Sequence, residues 1–389
     1  GQVLMDFATG LTGRMRGGPA KAAVVGSSLM GMISGTAVAN VLTTGPISIP
    51  LMRKSGYRPE AAGAIEAVAS TGGQLMPPVM VAAAFIMAEI VGVPYTEVMS
   101  TALLPALLFF GSAFFIVHLQ AVKSGIKPVT KRQDDGRPLR SVLLQGMPFI
   151  ATFATLIILM LMGYSPFKAS MWAMVVLIGL DLLWKREINK AFFEKLVGGI
   201  SEGAKSVVTI SAACAAAGII SGILGITGLG SKIALLIDTA AGGSLVLALV
   251  FTMFTSIILG MGLPTTAAYL ILATVVAPAL VELGIPALTA HFFVFYYGCI
   301  STITPPVALA SYVAGGIAGA DINKVGWTAA SYAVTSFVLP FAFCFGPGLL
   351  LQGDTLQNVT AVMTGFAGIA AIAVAVIGCM FTPLSWPLR

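Results

Sequence analysis

The chain has 389 residues, of which 57% are hydrophobic and only 9% charged, with a formal net charge of +6. A soluble domain carries roughly 25% charged residues, so this composition argues against a water-soluble protein. The positive charge is not interleaved with aromatic residues, which argues against nucleic-acid binding. It lies in short loops between apolar segments, and this pattern predicts an all-α polytopic membrane protein.

The first long apolar stretch covers residues 22–52 and is interrupted in its middle by Ser34-Gly35-Thr36. A single crossing has one basic, cytoplasmic end, whereas this stretch has two. Its flanking basic residues are Arg14, Arg16, Lys21, Arg53, Lys54 and Arg58. Two basic ends predict a re-entrant helical hairpin that enters and leaves from the cytoplasmic side. Each arm, at about 18 to 24 Å, is too short to cross but places the tip deep in the membrane.

The next apolar stretch, residues 60–91, contains the double proline Pro77-Pro78. Proline lacks a backbone donor and blocks the preceding helical turn, so this stretch predicts a broken transmembrane helix. A crossing needs about 20 apolar residues. Further spans are predicted at 98–120, 146–162, 167–184 and 206–226, and an amphipathic cytoplasmic arm at 188–197.

A second interrupted stretch covers residues 244–281, with its break at 260–266 and acidic flanks at Asp238 and Glu282. Acidic flanks predict a hairpin that enters from the opposite side of the membrane. A second broken span follows at 290–317, interrupted by Pro305-Pro306. Two C-terminal spans are predicted at 325–345 and 361–381.

A shift of 228 residues places Pro305-Pro306 over Pro77-Pro78 and Thr265 over Ala37. Each hairpin is thus followed by a broken helix, and the two sets are oppositely oriented, which predicts inverted repeats. We expect residues 1–97 and 206–324 to form the two repeats of a transport domain. Residues 98–205 are expected to form scaffold helices and the arm, and 325–389 the C-terminal transmembrane helices.

Broken backbone within a membrane is tolerated where it lines a polar cavity. Half-helix N-termini suit carboxylates, and unwound carbonyls suit small cations. Hydroxyl ligands are offered by Ser34, Thr36, Thr265, Thr266, Ser301, Thr302 and Thr304. The breaks predict the binding site of a secondary transporter. They contain no acidic side chain, which favours sodium over protons as the coupling cation.

Glu66 qualifies that preference, because it lies one turn before Ser70 on the first broken helix. Two interpretations stay open at this point. Glu66 is either a solvated or ion-paired residue near the cytoplasmic end of the helix, or a proton carrier.

The chain contains the strings RGGPAK at 16–21, GMISGTAVANV at 31–41, EAVASTGGQLMPPVM at 66–80, GMGLPTTAAY at 260–269 and TPPVA at 304–308. These strings resemble those of the large membrane subunit of tripartite ATP-independent periplasmic (TRAP) transporters, in particular the fused permeases that pair with TAXI-type binding proteins. The resemblance covers nearly the whole chain.

The resemblance implies an ion-transporter-like fold with an elevator mechanism in a bacterial or archaeal inner membrane. It implies import of a small organic acid, driven by sodium or by protons and without a resident cofactor. One implied cation set is Ser34, Gly35, Thr36, Gly72, Gly73 and Pro77, and the other is Gly262, Thr265, Thr266, Ser301, Thr302 and Thr304. The residues expected to contact substrate are Ser34, Thr36, Asn40, Ser70, Thr71, Gln74, Thr265 and Thr266.

The implied partners are a periplasmic TAXI or TRAP substrate-binding protein, the lipid bilayer, and a small membrane subunit or a fused N-terminal segment. Such relatives carry scaffold helices upstream, so this chain alone is not expected to transport. The alternatives are an elevator carrier that needs no binding protein and a proton-coupled organic anion transporter. An intramembrane enzyme is disfavoured because the spans lack paired aspartates, a Ser-His arrangement or a metal motif.

Overall fold

The computed structural model describes residues 2–128, 139–185, 190–228, 232, 235–236 and 239–379. The regular elements among these residues are helices. The first nine are α1 Gln2–Thr12, α2 Gly18–Ser34, α3 Ala37–Lys54, α4 Pro59–Gly73, α5 Ala82–Val91, α6 Tyr95–Lys123, α7 Leu139–Leu161, α8 Pro166–Lys185 and α9 Lys190–Thr227.

The remaining α-helices lie within residues 239–379. They are α10 Leu245–Gly260, α11 Thr265–Val275, α12 Ala277–Glu282, α13 Ala287–Ile300, α14 Leu309–Ala318, α15 Ile322–Tyr332, α16 Val334–Phe345 and α17 Thr355–Ile377. Two short 3₁₀ helices, Ser301–Ile303 and Pro347–Leu350, complete the described elements.

The first hairpin consists of α2 and α3, which pack against each other and are joined by Gly35 and Thr36. Gly35 has φ of 66°, which favours glycine, and the Thr36 hydroxyl accepts a hydrogen bond from the backbone N–H of Ala39 at 3.2 Å. The helix therefore breaks where the sequence predicted. The arms have 17 and 18 residues, longer than expected, since Gly17 and Pro19 start α2 before the apolar stretch.

The second hairpin consists of α10 and α11, which also pack together. The four residues between them include Gly262 at φ 73° and Pro264, which caps the start of α11. This break again lies within the predicted segment. Its second arm is short, because the helical run that begins at Thr265 stops at Val275 before restarting as α12.

The first broken helix is α4 with α5, and the second is α13 with α14. Their interruptions contain Pro77-Pro78 and Pro305-Pro306, and both of these peptide bonds are cis. α14 packs on α3 and α4, whereas α5 packs on α11 and α13. The second half of each broken helix thus packs against elements of the other hairpin set, and the two interruptions lie side by side.

Three predicted boundaries are wrong. The span predicted to begin at 146 begins at Leu139 as α7. The predicted arm and the span at 206–226 are one 38-residue helix, α9, since residues 198–205 contain no proline to end it; the start of the arm, Ile188, lies outside the described residues. The last span begins at Thr355 rather than 361, because Asp354 and Gln357 form a capping box. Its predicted end at Phe381 lies beyond the described residues.

Among the described residues, four helical stretches are long and apolar enough to cross a membrane. They are Tyr95–Lys123, Pro166–Leu183, Ile322–Phe345 and Thr355–Ile377. The third contains α15 and α16, which are separated at Ala333. These helices agree with a membrane-embedded, multi-pass protein.

Candidate functional site

The first hairpin touches the first broken helix through two glycines, Gly31 near the end of α2 and Gly73 at the end of α4. A Cβ added at Gly31 would lie 2.2 Å from the Cα of Gly73, and one added at Gly73 would lie 2.6 Å from the Cα of Gly31. The contact is between backbones, so no side-chain rotation can relieve it. Glycine at both positions brings the hairpin against the interruption.

The second hairpin makes a similar contact with its own broken helix. A Cβ added at Gly260, the last residue of α10, would lie 2.8 Å from the hydroxyl oxygen of Ser301. Ser301 opens the 3₁₀ turn that follows α13. Both hairpins therefore lie against an interrupted helix through a glycine close to the hairpin turn.

The two interruptions are joined by hydrogen bonds that we call the inter-repeat contact. The Thr71 and Thr302 hydroxyl oxygens lie 3.2 Å apart. Thr265, the first residue of α11, donates its hydroxyl to the side-chain carbonyl of Gln74 at 2.5 Å. All four side chains are buried, and the Gln74 amide nitrogen has no hydrogen-bond partner among the described residues. A buried, unused donor therefore lies between the repeats.

Each hairpin turn lies between two helix ends. α2 ends at Ser34 and α10 at Gly260, and α3 and α11 begin at Ala37 and Thr265. Helix C-termini carry partial negative charge and N-termini partial positive charge. Each hairpin turn therefore offers one end suited to a cation and one suited to a carboxylate.

The expected cation ligands of the first hairpin lie at its turn. The Ser34 hydroxyl donates to the carbonyl of Thr36 at 3.4 Å, and Thr36 caps α3. A Cβ added at Gly35 would meet no atom within 4 Å, so the turn has space around it. Gly262 of the second turn is exposed as well.

The expected ligands of the two interruptions are placed differently. Gly72 and Gly73 are in the last turn of α4, not in unwound chain as expected. The helix ends only at Gly73, with Gln74 as its C-cap ahead of Pro77. In the second interruption the hydroxyls bond back to the helix. Ser301 donates to Gly298 O at 2.8 Å, Thr302 to Cys299 O at 2.8 Å and Thr304 to Ile300 O at 2.9 Å.

Of the residues expected to contact substrate, Asn40 and Ser70 bond elsewhere. The Asn40 amide donates to the carbonyl of Ser27 at 2.9 Å. The Ser70 hydroxyl donates to Glu66 Oε1 at 3.2 Å. Thr71, Gln74 and Thr265 lie together at the inter-repeat contact, and Thr266 is buried beside Thr265.

Glu66 is the centre of a second polar cluster, which we call the carboxylate pocket. Its side chain is fully buried at 0% exposure. Ser27 donates to Oε1 at 3.0 Å, Ser70 also bonds Oε1, Thr44 makes a short bond to Oε1 and Ser48 one to Oε2. In the part of the chain that the structure describes, Glu66 forms no ion pair. The interpretation of Glu66 as a solvated residue is therefore wrong, and the described residues offer no ion-pair partner for it.

Sequence reasoning missed Ser27, Thr44 and Ser48. A signal was present, because Asn40, Thr44 and Ser48 follow one another at four-residue spacing and so lie on one face of α3. In an otherwise apolar arm, such a polar stripe indicates a polar partner on a neighbouring helix. The partner is Glu66 on α4.

Comparison with known proteins agrees with this architecture. The family model described as "Tripartite ATP-independent periplasmic transporter, DctM component" matches residues 1–356. The C4-dicarboxylate TRAP transporter large permease protein DctM of Pseudomonas aeruginosa is 28% identical over 327 residues, covering 82% of this chain and 73% of the relative. A putative TRAP transporter large permease protein of Haemophilus influenzae is 22% identical over 354 residues, covering 90% and 80%.

A third relative, the uncharacterized protein y4mL of Sinorhizobium fredii, is 24% identical over 354 residues, which cover 90% of this chain and 82% of the relative. The aligned segments of all three relatives include most of each protein. The likeness therefore extends over the hairpins, the broken helices and the helices between them.

Proposed function

We propose that this chain, which belongs to the DctM component family of tripartite ATP-independent periplasmic transporters, imports small carboxylates by coupling their movement to a cation. The family consists of transporter permeases rather than enzymes and normally works with a periplasmic binding protein. The name of the Pseudomonas relative specifies C4-dicarboxylates. We take a small mono- or dicarboxylate as the substrate class here.

The observation that carries the proposal is the unused amide donor of Gln74 at the inter-repeat contact. A buried donor without a partner costs free energy comparable to a lost hydrogen bond, and a substrate carboxylate would satisfy it. The N-terminus of α11 at Thr265 and Thr266 adds a favourable partial charge beside it. Thr71, Gln74, Thr265 and Thr266 are thus our proposed substrate contacts.

We place the coupling cation at the hairpin turns. The C-terminal carbonyls of α2 and the hydroxyls of Ser34 and Thr36 supply neutral oxygen ligands at the first turn. The C-terminus of α10 and the Thr265 hydroxyl do the same at the second turn. Neutral oxygens without a carboxylate favour sodium over protons at these turns.

The proposed motion is an elevator movement of the two re-entrant hairpins and the two broken helices together. Support comes from the interlocked packing, in which α5 contacts α11 and α13 while α14 contacts α3 and α4. Because the hairpins and broken helices contact one another in this interleaved way, we expect them to move together as one rigid body. The helices at 98–205 and 325–389 would then act as the scaffold in the inner membrane, with a small membrane subunit or a fused N-terminal segment as partner.

The test is substrate uptake into proteoliposomes that contain the permease, with its periplasmic binding protein added outside. Sodium and proton gradients are imposed separately. We expect uptake of a labelled dicarboxylate under an inward sodium gradient and only when the binding protein is present. Equal uptake without the binding protein would favour a stand-alone carrier, and TAXI-type and other binding proteins can be compared in the same assay.

The variants Ser34→Ala and Thr265→Ala should raise the sodium concentration needed for half-maximal uptake while leaving expression unchanged, because each removes one hydroxyl ligand. Thr43→Ala is the matched control, since the Thr43 hydroxyl is exposed on α3 and donates to the Ala39 carbonyl of the same helix. The measurement is a sodium titration of uptake. Unchanged sodium dependence in both Ser34→Ala and Thr265→Ala would contradict the proposed cation sites.

A further inference from the structure

The carboxylate pocket contains the one fully buried acidic side chain among the described residues. Removing an ionised carboxylate from water costs several kcal/mol unless a cation or hydrogen bonds compensate. Four hydroxyl groups, from side chains on α2, α3 and α4, bond to the Glu66 carboxylate. Hydroxyls offset part of that cost, yet they supply no positive charge.

The cationic groups on the helices that pack against α4 are engaged elsewhere or exposed. Lys21 lies 3.3 Å from the His118 ring and over Phe114, and Arg53 donates to the carbonyl of Ala318. Lys54, Lys123 and Lys324 are exposed. His291 bonds to Tyr269 at 2.9 Å.

The other titratable groups on these helices are Glu60, Glu97, Cys299 and the tyrosines of α6, α13, α14 and α15. In the described part of the chain none of them hydrogen-bonds to Glu66. Among the described residues, no cationic side chain therefore contacts this carboxylate, and a bound proton would remove the charge that the pocket leaves unbalanced.

We propose that the carboxylate pocket is a proton-binding site, separate from the hairpin turns, at which Glu66 is loaded and unloaded during transport. The inference rests on the proposed function and adds a second coupling ion to it. The carboxylate takes its proton from water on the side to which the pocket opens, becomes a neutral acid, and returns it as the carboxylate re-forms.

The geometry favours a proton over a metal ion. Ser27 and Ser70 lie 3.0 and 3.2 Å from Glu66 Oε1, and Thr44 and Ser48 are closer still. The hydroxyl oxygens are in direct hydrogen-bond contact with the carboxylate, so a metal ion would have to separate them. A proton needs no such space. A hydroxyl can also donate or accept, so one of the four can turn to accept from the protonated acid.

Proton binding at Glu66 would act on the first hairpin. Ser27, Thr44 and Ser48 belong to its two arms and bond across to α4 through this one carboxylate. The Thr44 hydroxyl also lies 2.8 Å from the carbonyl of Asn40, so its single proton is shared between Glu66 and that carbonyl, and Asn40 N–H donates to the carbonyl of Thr36 at the turn. A change of charge at Glu66 would therefore alter how firmly the arms and the turn are held against α4.

The experiment compares Glu66→Gln with wild type in proteoliposomes containing the permease, its binding protein and an entrapped pH-sensitive dye. Glu60→Gln is the matched control, since Glu60 is a partly exposed carboxylate on the same helix. Substrate-dependent proton entry and substrate counterflow are both recorded. We expect Glu66→Gln to lose proton entry while counterflow persists, and Glu60→Gln to retain both.

Proton entry in Glu66→Gln that equals wild type would overturn the inference and leave carboxylate transport intact. Absence of any uptake by wild type would instead count against the proposed function. If Glu66→Gln also loses counterflow, infrared difference spectra of the wild type across pH decide. A protonated-carboxyl band that changes with pH and is missing in Glu66→Gln supports the site, and its absence from wild type overturns it.

Discussion

Replacing Gly31 with alanine should abolish transport, because the added methyl group would lie 2.2 Å from the backbone of Gly73. The first hairpin could no longer lie against the interruption of the first broken helix. Overpacking of this kind costs about 1–3 kcal/mol, and here the neighbour is backbone and cannot rotate away. The measurements are the rate of uptake in proteoliposomes and the midpoint temperature of thermal unfolding of the purified permease. Both the rate and this temperature should fall.

The matched control is Gly316→Ala on α14. A Cβ added at Gly316 would meet no atom within 4 Å, and Gly316 lies inside the helix Leu309–Ala318. This variant should keep wild-type uptake and gain slightly in stability, as alanine favours helix over glycine. Normal transport by Gly31→Ala would mean that the hairpin does not need this close contact.

The second large effect is expected at the inter-repeat contact. Gln74→Leu should weaken substrate affinity by roughly 10- to 150-fold, which corresponds to the loss of a hydrogen bond to a charged group worth about 1.5–3 kcal/mol. The concentration of loaded binding protein that gives half-maximal uptake measures this effect. Maximal uptake should change less, because the variant keeps the hairpins and their glycines.

Two further variants separate the amide donor from the bond to Thr265. Gln74→Glu keeps an acceptor for the Thr265 hydroxyl but replaces the amide donor with a carboxylate that repels the substrate, so its affinity should fall at least as far as that of Gln74→Leu. Gln120→Leu is the control of the same chemistry, since the Gln120 amide, at the C-terminal end of α6, donates to the neighbouring Ser124 hydroxyl. Wild-type affinity in both Gln74 variants would remove Gln74 from the substrate site.

Local backbone chemistry accounts for what could be predicted from the sequence. The turns at Gly35 and Gly262 and the interruptions at Pro77 and Pro305 lie where expected. Glycine tolerates a left-handed turn, and proline removes a donor whatever its surroundings. The capping box of Asp354 and Gln357 is a local signal as well, so the start of the last helix at Thr355 can also be predicted from the sequence.

Contacts between distant segments were decided only by the packing of the helices. Ser27 and Glu66 are 39 residues apart, and Gln74 and Thr265 are 191 apart. The residues next to Glu66 in the sequence do not show whether its side chain faces water or four hydroxyls. That depends on which side of α4 the first hairpin covers. Gly72 and Gly73 resembled helix breakers, yet in the fold they are places of close approach.

The sequence by itself determined that this chain is a helical membrane protein with two interrupted hairpin sets, because composition, flanking charge and helix-breaking residues act within a few turns of where they occur. The tertiary structure alone decided that the second half of each broken helix packs against elements of the other hairpin set, that Gln74 meets Thr265, and that a buried carboxylate joins both arms of the first hairpin to α4. The physical reason is that hydrogen bonds between helices depend on their relative rotation and depth, which are set by the whole packed arrangement.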